Sequence, residues 1–110
     1  MAENTSVHDL FEKLNSRFKP EKAQNDKALL AFELSGDNAG KYWMRVTNGT
    51  LETGQGDAPG QADLILRASA DDFIRIMNGQ LNPMAAFMSG KVKAERNMSI
   101  AMKLMAWFGL

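Results

Sequence analysis

Tyr42–Gly54 reads YWMRVTNGTLETG, two runs of alternating character separated by Asn48-Gly49. Asn-Gly accepts the positive φ angles of a two-residue hairpin turn, so the stretch predicts two antiparallel strands. Alternation sends Tyr42, Met44 and Val46 to one face and Trp43 and Arg45 to the other. Upstream, LLAFEL (Leu29–Leu34) repeats the pattern with Leu30, Phe32 and Leu34 inward, and the turn-forming SGDNAG joins it to the hairpin as a three-strand meander. Downstream, ADLILRA (Ala62–Ala68) supplies a fourth strand with Leu64 and Leu66 inward. KVKAE (Lys91–Glu95) supplies a fifth, short and basic, as suits a sheet edge.

Helical periods flank the strands. Val7, Leu10, Phe11, Leu14 and Phe18 share one face of a helix from about Val7 to Phe18, with Ser6 as its cap, Asp9 in a capping-box-like position and Pro20 as its stop. SADDFIRIMNG places Ser69 at an N-cap, Asp71 and Asp72 at the positive end of the helix dipole, and Gly79 at the exit. NPMAAFMSG repeats the grammar with Asn82, Pro83 and Gly90. A last helix starts near Asn97. The chain, 110 residues long, reads as one domain over 1–110.

Composition excludes several chemistries. Thirteen Lys/Arg balance thirteen Asp/Glu, so no overall field favours nucleic acid, although residues 73–110 carry five basic side chains against Glu95 alone. The absence of cysteine removes disulfides and thiolate chemistry. His8, near the start of the first helix, has no nucleophile or metal-ligand cluster around it in the sequence, and Asp71-Asp72 are adjacent on a helix and do not face each other. GQGDAPGQ lacks the ending of a phosphate-binding loop. These readings predict a non-enzymatic protein without cofactor or metal. MAENTSVHDL has no signal-peptide character, no 18-residue apolar run occurs, and FGL is not a peroxisomal address, so the expected location is cytoplasmic.

Apolar side chains crowd the C-terminal third. Six of eight methionines lie between Met77 and Met105, and NMSIAMKLMAWF (Asn97–Phe108) is apolar on most of its circumference. A methionine stripe at helical spacing is ordinarily core filler. Here the excess of a soft, adaptable side chain suits a protein that encloses something greasy.

The run DDFIRIMNGQLNPMAAFMSGKVKAERNMSIAMKL (Asp71–Leu104) resembles the sterol carrier protein type 2 family of lipid-transfer domains. The likeness rests on Asp72-Phe73, on NG.LNP..AF..GK.K from Asn78 to Lys93, and on NM..AMKL from Asn97 to Leu104; the upstream helix, RFKPEKA and meander follow the same order. It implies an α/β (α+β) fold: a five-stranded, mostly antiparallel sheet with helices on one face, enclosing an apolar tunnel closed by the C-terminal helix. The implied ligand is a fatty acid, acyl-CoA, sterol or phospholipid.

On that resemblance the tunnel lining is expected to be Phe32, Met44 and Leu66 from the sheet, Phe73, Ile76, Met77, Phe87 and Met88 from the middle helices, and Ile100, Met102, Leu104, Met105 and Phe108 from the last. Lys91, Lys93, Arg96 and Lys103 are expected to meet a headgroup or an anionic membrane. Family members commonly carry Gly where this chain has Arg96, a residue ill suited to positive φ, so a slightly different strand-to-helix corner is expected. With the sequence stopping at Leu110, Trp107 and Phe108 are expected to be exposed, either as a mobile gate or as a contact for a homodimer or lipid-enzyme partner. The alternative function is therefore an accessory interaction module of a lipid-modifying enzyme.

Overall fold

The computed structural model describes residues 7–36 and 40–110. The Ser6 cap, the tip of the first strand turn at 37–39 and the side chain of His8 lie outside the described residues. Strands β1 (Lys27–Ser35), β2 (Gly40–Thr47), β3 (Thr50–Gln55), β4 (Leu64–Ser69) and β5 (Val92–Arg96) form one sheet in the order β3-β2-β1-β4-β5. Helices α1 (Val7–Glu12), α2 (Leu14–Arg17), α3 (Ala70–Met77), α4 (Pro83–Met88) and α5 (Met98–Phe108) accompany it, with a 3-10 turn at Pro20–Lys22.

The Asn-Gly turn forms as its sequence requires, with φ of 47° at Asn48 and 84° at Gly49. β1 and β2 pair antiparallel with Leu30 opposite Met44 and Phe32 opposite Tyr42, so the inward residues of both strands meet on one face. β4 then returns parallel to β1, with Leu30 opposite Leu64 and Phe32 opposite Leu66. Asp63 fixes that start: its carboxylate accepts the Leu29 N–H at 2.9 Å and its own N–H donates to the Leu29 carbonyl at 2.7 Å. The outer face is polar at its flanks, where Arg67 pairs with Glu33 at 2.8 Å and with Glu95, and Arg45 pairs with Glu52 at 2.9 Å. Between them Trp43 lies against Gly54, where a Cβ would fall 2.4 Å from the ring.

The first helical period is correct but the helix is not continuous. Lys13 (φ −99°, ψ 2°) breaks it into α1 and α2. Val7, Leu10, Phe11, Leu14 and Phe18 are nonetheless all buried, since the break keeps the period on the sheet side. Ser69 Oγ accepts from the Asp72 N–H and Asn82 Oδ1 from Met84 and Ala85, at the helix starts the sequence indicates, and Asn97 Oδ1 caps the last helix by accepting from Ser99.

Arg96 corrects one expectation: it does adopt positive φ, at 78°. Neighbouring hydrogen bonds impose the conformation. Its guanidinium Nη1 donates to the Ala62 carbonyl at 2.9 Å, and the next N–H, Asn97, donates to Asp63 at 2.9 Å. A left-handed conformation costs a non-glycine residue about 1–2 kcal/mol. Arg96→Ala keeps that strain and loses the guanidinium bond, while Arg96→Gly loses both. We expect the alanine variant to be destabilised by roughly 1 kcal/mol and the glycine variant to recover about that amount in urea unfolding; a glycine variant weaker than the alanine variant would show that the corner is unstrained.

Candidate functional site

Four aromatic rings divide the inner face of the sheet. Phe11 stacks on Tyr42 (centroids 4.5 Å apart) and on Phe73 (5.5 Å), and meets Phe32 edge-on at 5.4 Å. On the β2 side of this wall, α1 and α2 cover the sheet with solid core. On the β4–β5 side lies a cavity of about 200 Å³.

Two successive rungs of the sheet make the cavity floor: Phe32, Leu66 and Ala94, then Leu34, Ala68 and Val92, each trio adjacent across β1, β4 and β5. α3 contributes Phe73, Ile76 and Met77, and α4 contributes Pro83, Met84 and Phe87. α5 contributes Met98, Ala101, Met102, Leu104 and Met105, and Leu110 closes one corner. Small alanines at 68, 94 and 101 are why the space stays unfilled. Every lining side chain is apolar, and apart from the weakly accepting thioether sulfurs of its methionines none offers a hydrogen-bonding group.

α5 accounts for its own composition. Met98, Ala101, Met102 and Met105, spaced i, i+3, i+4, i+7, face the cavity, while Ile100, Leu104, Trp107 and Phe108 are buried. The helix is apolar on two sides because it has two apolar neighbours, the core and the cavity.

Nine of the thirteen residues expected in the lining border the cavity: Phe32, Leu66, Phe73, Ile76, Met77, Phe87, Met102, Leu104 and Met105. Four do not. Met44 shares the inward face with Phe32 but lies on β2, and it is sealed into core at 1% exposure. Ile100 is buried without bordering the cavity, Phe108 packs on Phe18 at 5.6 Å, and Met88 points to solvent at 82% exposure. Leu34, Ala68, Val92 and Ala94 were within reach of strand parity, and Met98 of the helical period from Met102. A closed tunnel is not what forms: Met84, Phe87, Met98, Met102 and Leu110 are partly exposed, so the cavity opens to solvent between α4 and α5.

The four cations separate. Lys91 and Lys93 line a neighbouring hollow of about 400 Å³ with Arg67, Glu33, Ser35 and Ser69; it shares Leu34 and Ala68 with the cavity. Arg96 is committed to the Ala62 carbonyl and Lys103 to Asp26, and neither borders the cavity or the hollow. On the other flank a third hollow presents the amides of Asn78, Gln80 and Asn82 and shares Ile76, Met77, Pro83 and Leu110 with the cavity.

Trp107 and Phe108 are not exposed, which corrects the exposure expected of them. Trp107 is fully buried; its indole N–H donates to Asp26 Oδ2 at 2.9 Å and its carbonyl accepts the Lys19 N–H at 2.7 Å. Lys103 Nζ reaches Asp26 Oδ1 at 2.9 Å. Lys103 first, then the Trp107 N–H, hold the Asp26 carboxyl below its ordinary value near 3.8. One carboxylate thus ties the end of α5 to the start of β1. Among the described residues no group of three or more His, Asp or Glu stands together as a metal site, and no helix is long and apolar enough to cross a membrane.

The model of the SCP-2 sterol transfer family matches residues 8–109. Hydroxysteroid dehydrogenase-like protein 2 of Bos taurus is 33% identical over 103 residues, 94% of this chain but 25% of that protein. The chain therefore spans about a quarter of the length of the curated relatives it matches. Sterol carrier protein 2 of Yarrowia lipolytica in its apo form superposes with a TM-score of 0.64 at 26% identity, covering 91% of this chain and 89% of that one. The sec-alkylsulfatase Pisa1 of Pseudomonas sp. gives a TM-score of 0.83 at 23% identity, with all of this chain on 17% of the enzyme, a likeness of fold.

The Asp26 anchor is open to a stability test. Because the folded carboxyl is the more acidic, its contribution is complete above the unfolded value near 3.8 and disappears as pH falls through the lower folded value. Asp26→Asn keeps an acceptor for Trp107 and loses the charge facing Lys103. We expect it to be less stable by about 1 kcal/mol near neutrality, with the gap to the wild type closing at pH values below that range in chemical denaturation. A gap independent of pH would show that the charge is not what anchors the helix.

Proposed function

The chain belongs to the SCP-2 sterol transfer family, and from that membership and the all-apolar cavity we propose that it is a non-catalytic lipid carrier acting in the cytoplasm. Its ligand is a single acyl chain, as a fatty acid, acyl-CoA or phospholipid. The observation that carries this reading is a cavity of about 200 Å³ lined wholly by apolar side chains and open at one side. That volume is below the roughly 300–1,000 Å³ usual for small-molecule sites. A flexible chain can thread it and widen it by turning Met98, Met102 and Met105, whereas a rigid sterol ring system asks for a larger opening at once.

Each buried CH₂ contributes about 0.8 kcal/mol, so a dozen give on the order of 10 kcal/mol before association costs of roughly 4–15 kcal/mol. Affinity then comes from chain length and not from polar contacts. The headgroup stays outside the cavity, where Lys91 and Lys93 offer charge on one flank and the Asn78, Gln80 and Asn82 amides offer neutral hydrogen bonds on the other.

One observation favours a second reading. In Hydroxysteroid dehydrogenase-like protein 2 the matching region is about a quarter of a longer protein, which suits an accessory interaction module that docks on a lipid-modifying enzyme without itself carrying lipid. Mass spectrometry of lipid extracted from the purified protein separates the two: a stoichiometric lipid favours the carrier, and an empty protein favours the module.

Two substitutions test the cavity. Met105→Glu places a carboxylate where it must be desolvated or protonated, and Ala101→Phe fills the space. Both are expected to weaken uptake of a fluorescent long-chain fatty acid at least about tenfold with the circular-dichroism spectrum unchanged. Unaltered affinity in both variants would remove the cavity from the account.

A further inference from the structure

Methionines border the cavity at 77, 84, 98, 102 and 105, and their exposures divide them. Met84, Met98 and Met102 stand at its mouth, 45%, 40% and 55% exposed, whereas Met105 is half-buried and Met77 is buried. Met44 is sealed in the core, and Met88 stands in solvent without bordering the cavity. At the mouth, then, thioether sulfurs are open to a dissolved reagent and also face the ligand's path.

The chain has no cysteine, so no thiol competes for an oxidant and the thioethers are its groups most readily oxidised by peroxide. With hydrogen peroxide the step balances without a further reagent. A sulfur lone pair takes one peroxide oxygen, the O–O bond breaks, a proton shifts to the departing oxygen and water leaves; the sulfur is oxidised and the peroxide reduced. The product is a polar sulfoxide whose oxygen accepts hydrogen bonds. No side chain lining the cavity donates one. A sulfoxide at Met84, Met98 or Met102 is therefore satisfied only by water, and an acyl chain seated against it must strip that water with nothing in exchange.

We infer that Met84, Met98 and Met102 form a peroxide-oxidisable site, and that their conversion to sulfoxides loosens the cavity's hold on an acyl chain until reduction restores the thioethers. The inference rests on the carrier reading. Met88 supplies an internal contrast, because at 82% exposure it is the most exposed of the described methionines yet lies off the ligand's path.

The test treats the full chain with limiting hydrogen peroxide, maps each methionine by peptide mass spectrometry, and measures affinity for a fluorescent long-chain fatty acid before and after. Met88, Met102, Met84 and Met98 are expected to gain oxygen well before Met77 and Met44. A saturating fatty acid present during treatment is expected to slow the reaction at Met84, Met98 and Met102 but not at Met88. Affinity is expected to fall at least about tenfold with the circular-dichroism spectrum unchanged, and to return after incubation with the methionine sulfoxide reductases. Met88→Leu is expected to start at wild-type affinity and to lose as much of it; Met84→Leu combined with Met98→Leu and Met102→Leu is expected to keep through peroxide whatever affinity it starts from. Oxidation of Met44 as fast as Met102, an equal loss in the triple variant, or a loss accompanied by unfolding would each overturn the site. Uptake that survives oxidation of the mouth sinks this inference alone, and an untreated chain that takes up no fatty acid sinks the carrier with it.

Discussion

The contact on which the rest of this structure depends is the stack of Phe11 between Tyr42 and Phe73, with Phe32 edge-on beneath it. It joins α1, β1, β2 and α3 in one cluster and splits the sheet's apolar face into two unequal parts. On one part, Phe11 of α1 lies on Tyr42 of β2, and Leu10, Leu14, Met44 and Val46 are buried. On the other, the floor includes Ala68 and Ala94 and the roof includes Ala101, so the elements come together without filling the gap. Large cavities in protein cores are costly because their lining loses contacts. A cavity kept by small residues on three different elements is therefore best understood as space for something else.

The roof over that space is held at its ends and free in its outer face. Asp26 and the Lys19 N–H grip Trp107 at the C-terminal end, and the Arg96–Asn97 corner is hydrogen-bonded to Ala62 and Asp63 at the other. Between these points the long, unbranched side chains of Met98 and Met102 are exposed. In the proposed carrier, adaptation to a ligand would fall to these methionine side chains and to α4.

Periodicity in the sequence carried the elements and their faces: Leu30, Phe32, Leu34, Tyr42, Met44 and Val46 all point as their alternation demands. It did not carry lateral position. Met44 and Leu66 have the same parity, and which of them borders the cavity depends on β4 returning parallel beside β1, a choice made by Asp63 and Leu29 across 34 residues of chain. Likewise the apolar character of Trp107 is plain in the sequence, but its partner Asp26 lies 81 residues away and its burial follows from that hydrogen bond. Arg96 is the converse case, where an intrinsic backbone preference is overridden by tertiary hydrogen bonds.

The central claim, that the gap beside the aromatic wall receives an acyl chain, is tested most directly by the methionine methyl resonances during titration with a long-chain fatty acid. Methionines border the cavity at 77, 84, 98, 102 and 105, while Met44 is sealed on the other side of the wall and Met88 stands clear in solvent. The account requires saturable shifts at the first five, with Met44 and Met88 unmoved. Shifts at Met44 without those five, or no saturable shift at any of them, would contradict it.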